Sequence, residues 1–128
     1  MNKDRLNEIG GTILDAAITV HRELGPGLLE SAYRIALKRE LELRQLFVRM
    51  HVPVELFYKE APLGKCYEID LLVENEIIIE TKSSDGIAPI FMAQVITYLK
   101  LYGKNLGYLI NFNVPLLKEG FKRIVYKF

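Results

Sequence analysis

The chain has 128 residues, half of them hydrophobic, which is enough for one domain with a buried core and too few for two domains of ordinary size. Its apolar runs are far shorter than the about 20 residues that cross a bilayer, and its first residues lack a secretory pattern, so we expect a cytoplasmic protein without a membrane segment. The single cysteine, Cys66, excludes an internal disulfide and a cysteine-rich zinc site, and we expect it to be a packed thiol.

The net charge of +1 does not by itself indicate nucleic acid, but the charge is unevenly distributed. Residues 1–80 carry 10 Lys and Arg against 14 Asp and Glu, whereas residues 81–128 carry 7 against 2. The basic side chains of the second segment could contact phosphates if they share one face, although scattered surface lysines are the commoner explanation. Besides Lys82, they are Lys100, Lys104, Lys118, Lys122, Arg123 and Lys127.

An amphipathic helix is predicted from Asp4 to Leu24, because apolar residues recur there at spacings of three and four. The Gly-Pro-Gly sequence at 25–27 ends it, since glycine suits a left-handed cap and proline cannot continue the hydrogen-bond ladder. We expect His21 to lie at the surface near the end of this helix.

A second helix is predicted from about Leu28 to Gln45, with Leu29 and Tyr33 among its core-facing residues and Arg34 facing solvent. Glu30 lies in its first turn. A carboxylate at this place complements the helix dipole, so the position alone does not show a further role.

Three strands follow, and the last one ends in charged residues. Alternating apolar residues predict a strand over 49–58, which Pro53 places at a sheet edge. Residues 61–65 are predicted to form a turn and 67–73 the second strand. The third strand is Ile77–Lys82, where three isoleucines run into Glu-Thr-Lys.

A hairpin centred on Asn75 would place Asp70 directly across from Glu80, with Lys82 on the same face of the sheet. Two carboxylates that close repel each other, and Lys82 supplies only one positive charge. The spacing therefore leaves room for a divalent cation. Mg²⁺ or Mn²⁺ would take Asp70, Glu80 and the backbone carbonyl of Thr81 as oxygen ligands, and Lys82 would orient a nucleophile or stabilise charge on a phosphate.

The remaining segment predicts a loop at 83–88, a helix from Pro89 to Tyr102, and strands at 108–112 and 123–128. Gln94 and Tyr98 lie four residues apart and so share one face of this helix.

Asp70 followed by Glu80-Thr81-Lys82 resembles the motif of the PD-(D/E)XK nucleases, and Gln94 with Tyr98 resembles the QxxxY helix of one branch of them. Residues 27–33, Gly-Leu-Leu-Glu-Ser-Ala-Tyr, are similar to the signature of the small GxxExxY proteins of the same superfamily. The motif's leading proline is absent before Asp70.

The resemblance implies an α/β fold, with a mixed sheet flanked by helices and the helix carrying Glu30 over the active face. It implies a catalytic set of Glu30, Asp70, Glu80 and Lys82, in which Glu30 reaches the metal directly or through water. It further implies substrate-binding roles for Tyr33, Gln94 and Tyr98. The expected activity is metal-dependent hydrolysis of DNA, with RNA as an alternative substrate.

Two other hypotheses compete with a nuclease. The domain could keep the fold and serve as a noncatalytic binding or assembly module, or the charged residues could form a structural ion network. A homodimer is a further expectation, because a domain this small often acts as a dimer on duplex DNA.

Overall fold

The structure is a computed structural model that describes all residues, 1–128. Its elements in chain order are helix α1 (Lys3–Leu24), helix α2 (Glu30–Leu43), strands β1 (Val48–Tyr58), β2 (Ala61–Val73) and β3 (Ile77–Lys82), helix α3 (Pro89–Tyr102), strand β4 (Leu106–Asn111), a 3₁₀ turn (Leu117–Gly120) and strand β5 (Phe121–Val125). None of the helices combines the length and hydropathy that a membrane span needs.

The five strands form one sheet in the order β1-β2-β3-β4-β5. Strands β3 and β4 are parallel and the other neighbours are antiparallel. Helix α3 provides the crossover that a parallel pair requires. The expected mixed sheet is therefore confirmed, and so is the edge position of β1, whose Pro53 cannot donate a ladder hydrogen bond.

Helices cover both faces of the sheet, which makes a three-layer domain. The larger core joins α1 and α2 to one face, on which Ile77 and Ile79 of β3 lie. The smaller core joins α3 to the other face, through Ile78. Because side chains alternate along β3, Glu80 and Lys82 follow Ile78 onto the α3 face. The expectation that the helix carrying Glu30 covers this face is wrong, since α2 packs on the opposite one.

The helix boundaries agree closely with the sequence except at the start of α2. Leu29 is 78% exposed and occupies the N-cap position, whereas the pattern placed it in the core. His21 is buried instead of exposed, and its Nε2 lies 2.8 Å from the Val114 carbonyl oxygen. Apolar periodicity does not anticipate this contact, because it joins residues 93 positions apart.

The turn predicted at residues 61–65 is wrong, because β2 already begins at Ala61. The chain turns at Lys59 and Glu60, both with positive φ, and Tyr58 pairs with Ala61. Gly64, with φ +87°, lies near register irregularities within the ladder, so its glycine serves a bulged strand and not a turn. This half of the hairpin projects from the body, and Cys66 on it is exposed, in contrast to the packed thiol expected.

The register predicted across Asn75 is confirmed. Val73 pairs with Ile77, Leu72 with Ile78, and Leu71 with Ile79. Asn75 has φ +54°, a left-handed conformation that asparagine tolerates better than most residues. The antiparallel pairing ends at Leu71 and Ile79, one residue before the two acidic positions of the predicted site.

Candidate active site

The site forms where β2 and β3 separate. Asp70 is the first residue of β2 beyond the β2–β3 pairing, and its carboxylate takes over the role of the lost ladder bonds. Its Oδ2 accepts two hydrogen bonds from Thr81, one from the backbone N–H and one from the hydroxyl, each 2.9 Å long. Asp70 and Glu80 are thus not ladder partners, but the two bonds fix the Asp70 carboxylate against the end of β3.

Glu80 is the buried carboxyl of the site, with 5% of its surface exposed. Burial raises its pKa to about 8, and the negative charge of Asp70 adds to this effect while Lys82 opposes it. Its Oε1 is buried without any hydrogen-bond partner. A carboxyl oxygen in this state can accept a proton, a hydrogen bond or a cation.

Lys82 extends over the α3 face of the sheet. Its Nζ lies 3.7 Å from Oε2 of Glu80 and 4.5 Å from the centre of the Phe91 ring on α3. The aromatic face stabilises the ammonium group and holds it beside the carboxyl. Lys82 is thereby placed at the mouth of the site, next to the open space in front of α3.

Glu30 approaches from the first turn of α2, and Arg34, one turn later, connects it to Asp70. One guanidinium nitrogen of Arg34 lies 3.7 Å from Glu30 and 3.9 Å from Asp70. Both distances exceed those of a hydrogen bond, so the contacts are loose ion pairs. Nε of Arg34 is also buried without a partner.

Arg34 is the residue that the sequence reasoning missed, since the helical pattern placed it toward solvent. The available signal was its spacing of four from Glu30, which joins opposite charges on one helix face. The contact with Asp70 could not be read from α2 alone, because it depends on how α2 sits against the sheet.

No group of three or more His, Cys, Asp or Glu side chains in the structure is arranged to hold a metal ion. Asp70 and Glu80 nevertheless fit a hard cation, because the unpartnered Oε1 of Glu80 is an oxygen donor with nothing to bind. Mg²⁺ commonly uses only one or two carboxylates and completes its shell with water and phosphate oxygens. Glu30 lies near enough to raise the pKa of Glu80 as a minor contributor, which places it at the margin of this pair.

Tyr33 is a structural residue and not part of the exposed site. It is fully buried, its ring stacks on Phe112 with centroids 4.6 Å apart, and its hydroxyl donates to the Gly25 carbonyl and accepts from the Leu28 N–H. Because Tyr33 is fully buried, it has no surface for the substrate contact that the resemblance implied. Tyr33 instead fixes the loop that delivers Glu30.

Gln94 and Tyr98 lie on the face of α3 that lines a cleft of about 460 Å³ beside Lys82. Burial, together with the nearby charges of Glu80 and Asp70, raises the pKa of Tyr98 to about 12. The Tyr98 hydroxyl therefore stays protonated at neutral pH and can donate a hydrogen bond. The structure thus brings Gln94 and Tyr98 together with the charged residues, as the sequence indicated.

Asn111, at the end of β4, holds the loop that follows Lys82. Its side-chain oxygen accepts from the N–H groups of Ser84 and Asn113, and its amide nitrogen donates to the carbonyls of Ser84 and Gly86. The residue is fully buried. It fixes the path of residues 83–86 between β3 and α3.

A larger cleft of about 520 Å³ lies elsewhere, between the end of α1 and the segment 115–118. It shares no residue with the charged site, and no carboxylate lines it. The smaller cleft, in contrast, shares Lys82 with the charged site and so adjoins it.

The fold and the site together define a class of protein: a mixed α/β domain with an Asp, Glu and Lys set at the end of two central strands. The chain matches the PD-(D/E)XK nuclease superfamily over residues 7–124 and belongs to that superfamily. No curated protein and no solved structure matches it.

Proposed function

We propose that the protein is a metal-dependent nuclease that hydrolyses phosphodiester bonds in DNA, with RNA as an alternative substrate. The observation that carries the proposal is the buried, unpartnered Oε1 of Glu80 beside the Asp70 carboxylate. Superfamily membership supports the same reaction type. The GxxExxY signature, a cytoplasmic location and a homodimer remain predictions from the sequence.

Asp70, Glu80 and the Thr81 carbonyl would hold Mg²⁺ or Mn²⁺, with Glu30 contributing directly or through water. When bound, the cation would activate water and neutralise charge on the phosphate under attack. The protein contributes a fixed Asp70, since Thr81 donates two hydrogen bonds to it, and a partly desolvated Glu80 whose raised pKa is lowered by any cation nearby.

Lys82 and Arg34 would complete the site through their positive charges. The Lys82 ammonium lies beside Glu80 at the cleft and can orient the nucleophile or stabilise the charge that develops on a phosphate oxygen. Arg34 neutralises Asp70 and Glu30 loosely, so it can move from them to a phosphate when a cation takes its place. Gln94 and Tyr98 would position the substrate.

The test is cleavage of labelled single-stranded and duplex DNA, and of RNA, with Mg²⁺ or Mn²⁺. The wild type is compared with Glu80→Gln, Lys82→Ala and the matched control Glu119→Gln, which alters an exposed carboxylate outside the site. We expect cleavage by the wild type and the control, loss of at least 100-fold in both site variants, and none in EDTA. Equal activity in all four proteins would trace the cleavage to a contaminant.

A second candidate function is a noncatalytic assembly domain. One observation favours it: the projecting part of the β1–β2 hairpin exposes the large apolar residues Phe57, Tyr58 and Leu63. Calorimetric titration with Mn²⁺ separates the two functions. Binding that disappears in Asp70→Asn supports the nuclease, and no binding at millimolar Mn²⁺ supports the assembly domain.

A further inference from the structure

The cleft beside Lys82 has a composition that differs from the charged site it adjoins. Lys82 is its only charged residue, and no carboxylate lines it. A cleft of about 460 Å³ with apolar walls and a few polar groups has the size and character of a small-molecule site.

Aromatic and apolar groups on two elements form its walls. Tyr67 comes from β2, three residues before Asp70, and Ile90 and Phe91 come from the first turn of α3. Tyr67 and Ile90 are exposed although they are large and apolar, and the rings of Tyr67 and Tyr98 lie 5.9 Å apart at 56°. Tyr67 therefore lines the cleft with part of its ring exposed, and an exposed aromatic ring can stack on a planar ligand.

The polar groups that line the cleft can form hydrogen bonds with the edge of such a ligand. Gln94 offers an amide donor and acceptor, and Thr97 and Tyr98 each offer a hydroxyl. Lys82 belongs both to this cleft and to the charged site, so one nucleotide can place its phosphate at Lys82 and its base in the cleft.

We propose that this cleft is a binding pocket for one unpaired nucleobase, stacked on Tyr67, and that the substrate is accordingly a single-stranded or frayed nucleic acid and not an intact duplex. The proposal rests on the proposed nuclease function, which it refines. A paired base has both faces stacked and its edge occupied, whereas an unpaired base offers all of these to the protein. Tyr67, Ile90 and Thr97 become substrate-binding residues that the sequence motifs did not mark.

The test is fluorescence anisotropy with a labelled ten-nucleotide thymidine DNA strand, in Mg²⁺, using Glu80→Gln as the parent so that hydrolysis does not interfere. In this parent, Tyr67→Ala should weaken binding by about tenfold, because stacking of one base on an aromatic side chain is lost. Tyr67→Phe, which keeps the ring, should bind within about twofold of the parent. Tyr58→Ala, which removes an exposed tyrosine from the same hairpin but outside the cleft, should also bind within about twofold of the parent.

A second measurement identifies the base as the stacking partner. Strands with one abasic position are scanned against the parent and against its Tyr67→Ala derivative. We expect one position at which loss of the base weakens the parent about tenfold and leaves the Tyr67→Ala protein unchanged, because both changes remove the same contact. A blunt duplex should bind at least tenfold more weakly than the single strand.

Several outcomes would overturn the pocket. These are equal affinity of parent and Tyr67→Ala, an abasic penalty that persists in Tyr67→Ala, or duplex binding as tight as single-strand binding. The cleavage assay above judges the nuclease separately. Duplex cleavage without any effect of Tyr67 would refute the base pocket and leave the nuclease function supported. Base-dependent binding without cleavage by the wild type would support the base pocket and refute the nuclease function.

Discussion

At the residue scale, the ionised form of Glu80 is disfavoured, because the side chain is buried beside another carboxylate and Lys82 compensates its charge only in part. Its pKa in the folded protein is about 8, against an ordinary value of 4.5. The folded state therefore holds the Glu80 proton more tightly than the unfolded chain does. It follows that Glu80 makes the free energy of unfolding depend on pH between about pH 4.5 and 8.

We predict that the free energy of unfolding of the metal-free protein falls as the pH rises from about 4.5 to 8, with a slope of up to about 1.4 kcal/mol per pH unit from this group. The stabilising contribution of the protonated carboxyl is complete below pH 4.5 and lost above pH 8. The free energy of unfolding of Glu80→Gln should match that of the wild type near pH 4.5 and exceed it by about 5 kcal/mol at pH 9.

Urea unfolding in EDTA at several pH values measures this difference, with Glu119→Gln as the control for loss of an exposed carboxylate. Parallel pH profiles of the free energy of unfolding for wild type and Glu80→Gln would show that Glu80 is solvated in the folded protein and would contradict its burial.

At the scale of elements, the separation of β2 from β3 creates the site, and Thr81 determines where Asp70 lies after the separation. The Thr81 hydroxyl and N–H both donate to the same carboxylate oxygen. The other oxygen of Asp70 is left for Arg34 or a cation. Thr81 thus acts on Asp70 as an outer-sphere partner acts on a metal ligand.

We predict that Thr81→Val, which keeps the shape and removes the hydroxyl, weakens Mn²⁺ binding by about 10- to 100-fold. Thr81→Ser should retain affinity close to that of the wild type, since it keeps the donor. Calorimetric titration with Mn²⁺ gives both affinities. Unchanged Mn²⁺ binding by Thr81→Val would mean that Asp70 is held by other contacts or does not bind the ion.

The loop after β3 depends on one buried side chain. Asn111→Ala would remove the acceptor that the N–H groups of Ser84 and Asn113 share and one donor to the carbonyls of Ser84 and Gly86, and we expect a loss of about 1 to 3 kcal/mol in the free energy of unfolding. Proteolytic cleavage within residues 83–88 should also become faster in this variant. Asn113→Ala is the matched control, because its side chain is exposed and makes one bond of 3.3 Å to the same loop.

Urea unfolding and limited proteolysis provide the two readouts for the loop. If Asn111→Ala and Asn113→Ala lose equal stability and are cleaved at equal rates, Asn111 does not hold the loop after β3 as we infer.

The sequence predicted best those elements whose signals are local. The bounds of β3 and α3 follow from the isoleucine run and from Pro89 at a first turn, and the register follows from the centre of a short hairpin. The tight turn at Lys59 and Glu60 could not be predicted, because neither residue favours the positive φ that it adopts. Gly64, which does favour it, was accordingly mistaken for the turn.

The site was predictable as far as it depends on that register. Asp70, Glu80 and Lys82 follow from counting across Asn75, but the strands separate at these very positions, which only the tertiary structure shows. The burial of Tyr33 and the ion pair between Arg34 and Asp70 both depend on how α2 docks on the sheet. A helical periodicity gives the buried face of α2 but not its neighbours across the layers.

At the scale of the whole molecule, the two helical layers contribute different parts of the site. Helices α1 and α2 close one face of the sheet and deliver Glu30 and Arg34 to its end, while α3 covers the other face and supplies the cleft. The charged pair of Asp70 and Glu80 lies where these parts meet. Arg34 and a bound cation would therefore compete for Asp70, since both would approach the same carboxylate.

A crystal structure of the protein soaked in Mn²⁺ tests this central claim most directly. We predict one anomalous peak within coordination distance, about 2.0 to 2.6 Å, of carboxylate oxygens of both Asp70 and Glu80. Arg34 should then have moved away from Asp70. A structure without such a peak at millimolar Mn²⁺, with Arg34 still paired to Asp70, would contradict the metal site and with it the proposed nuclease.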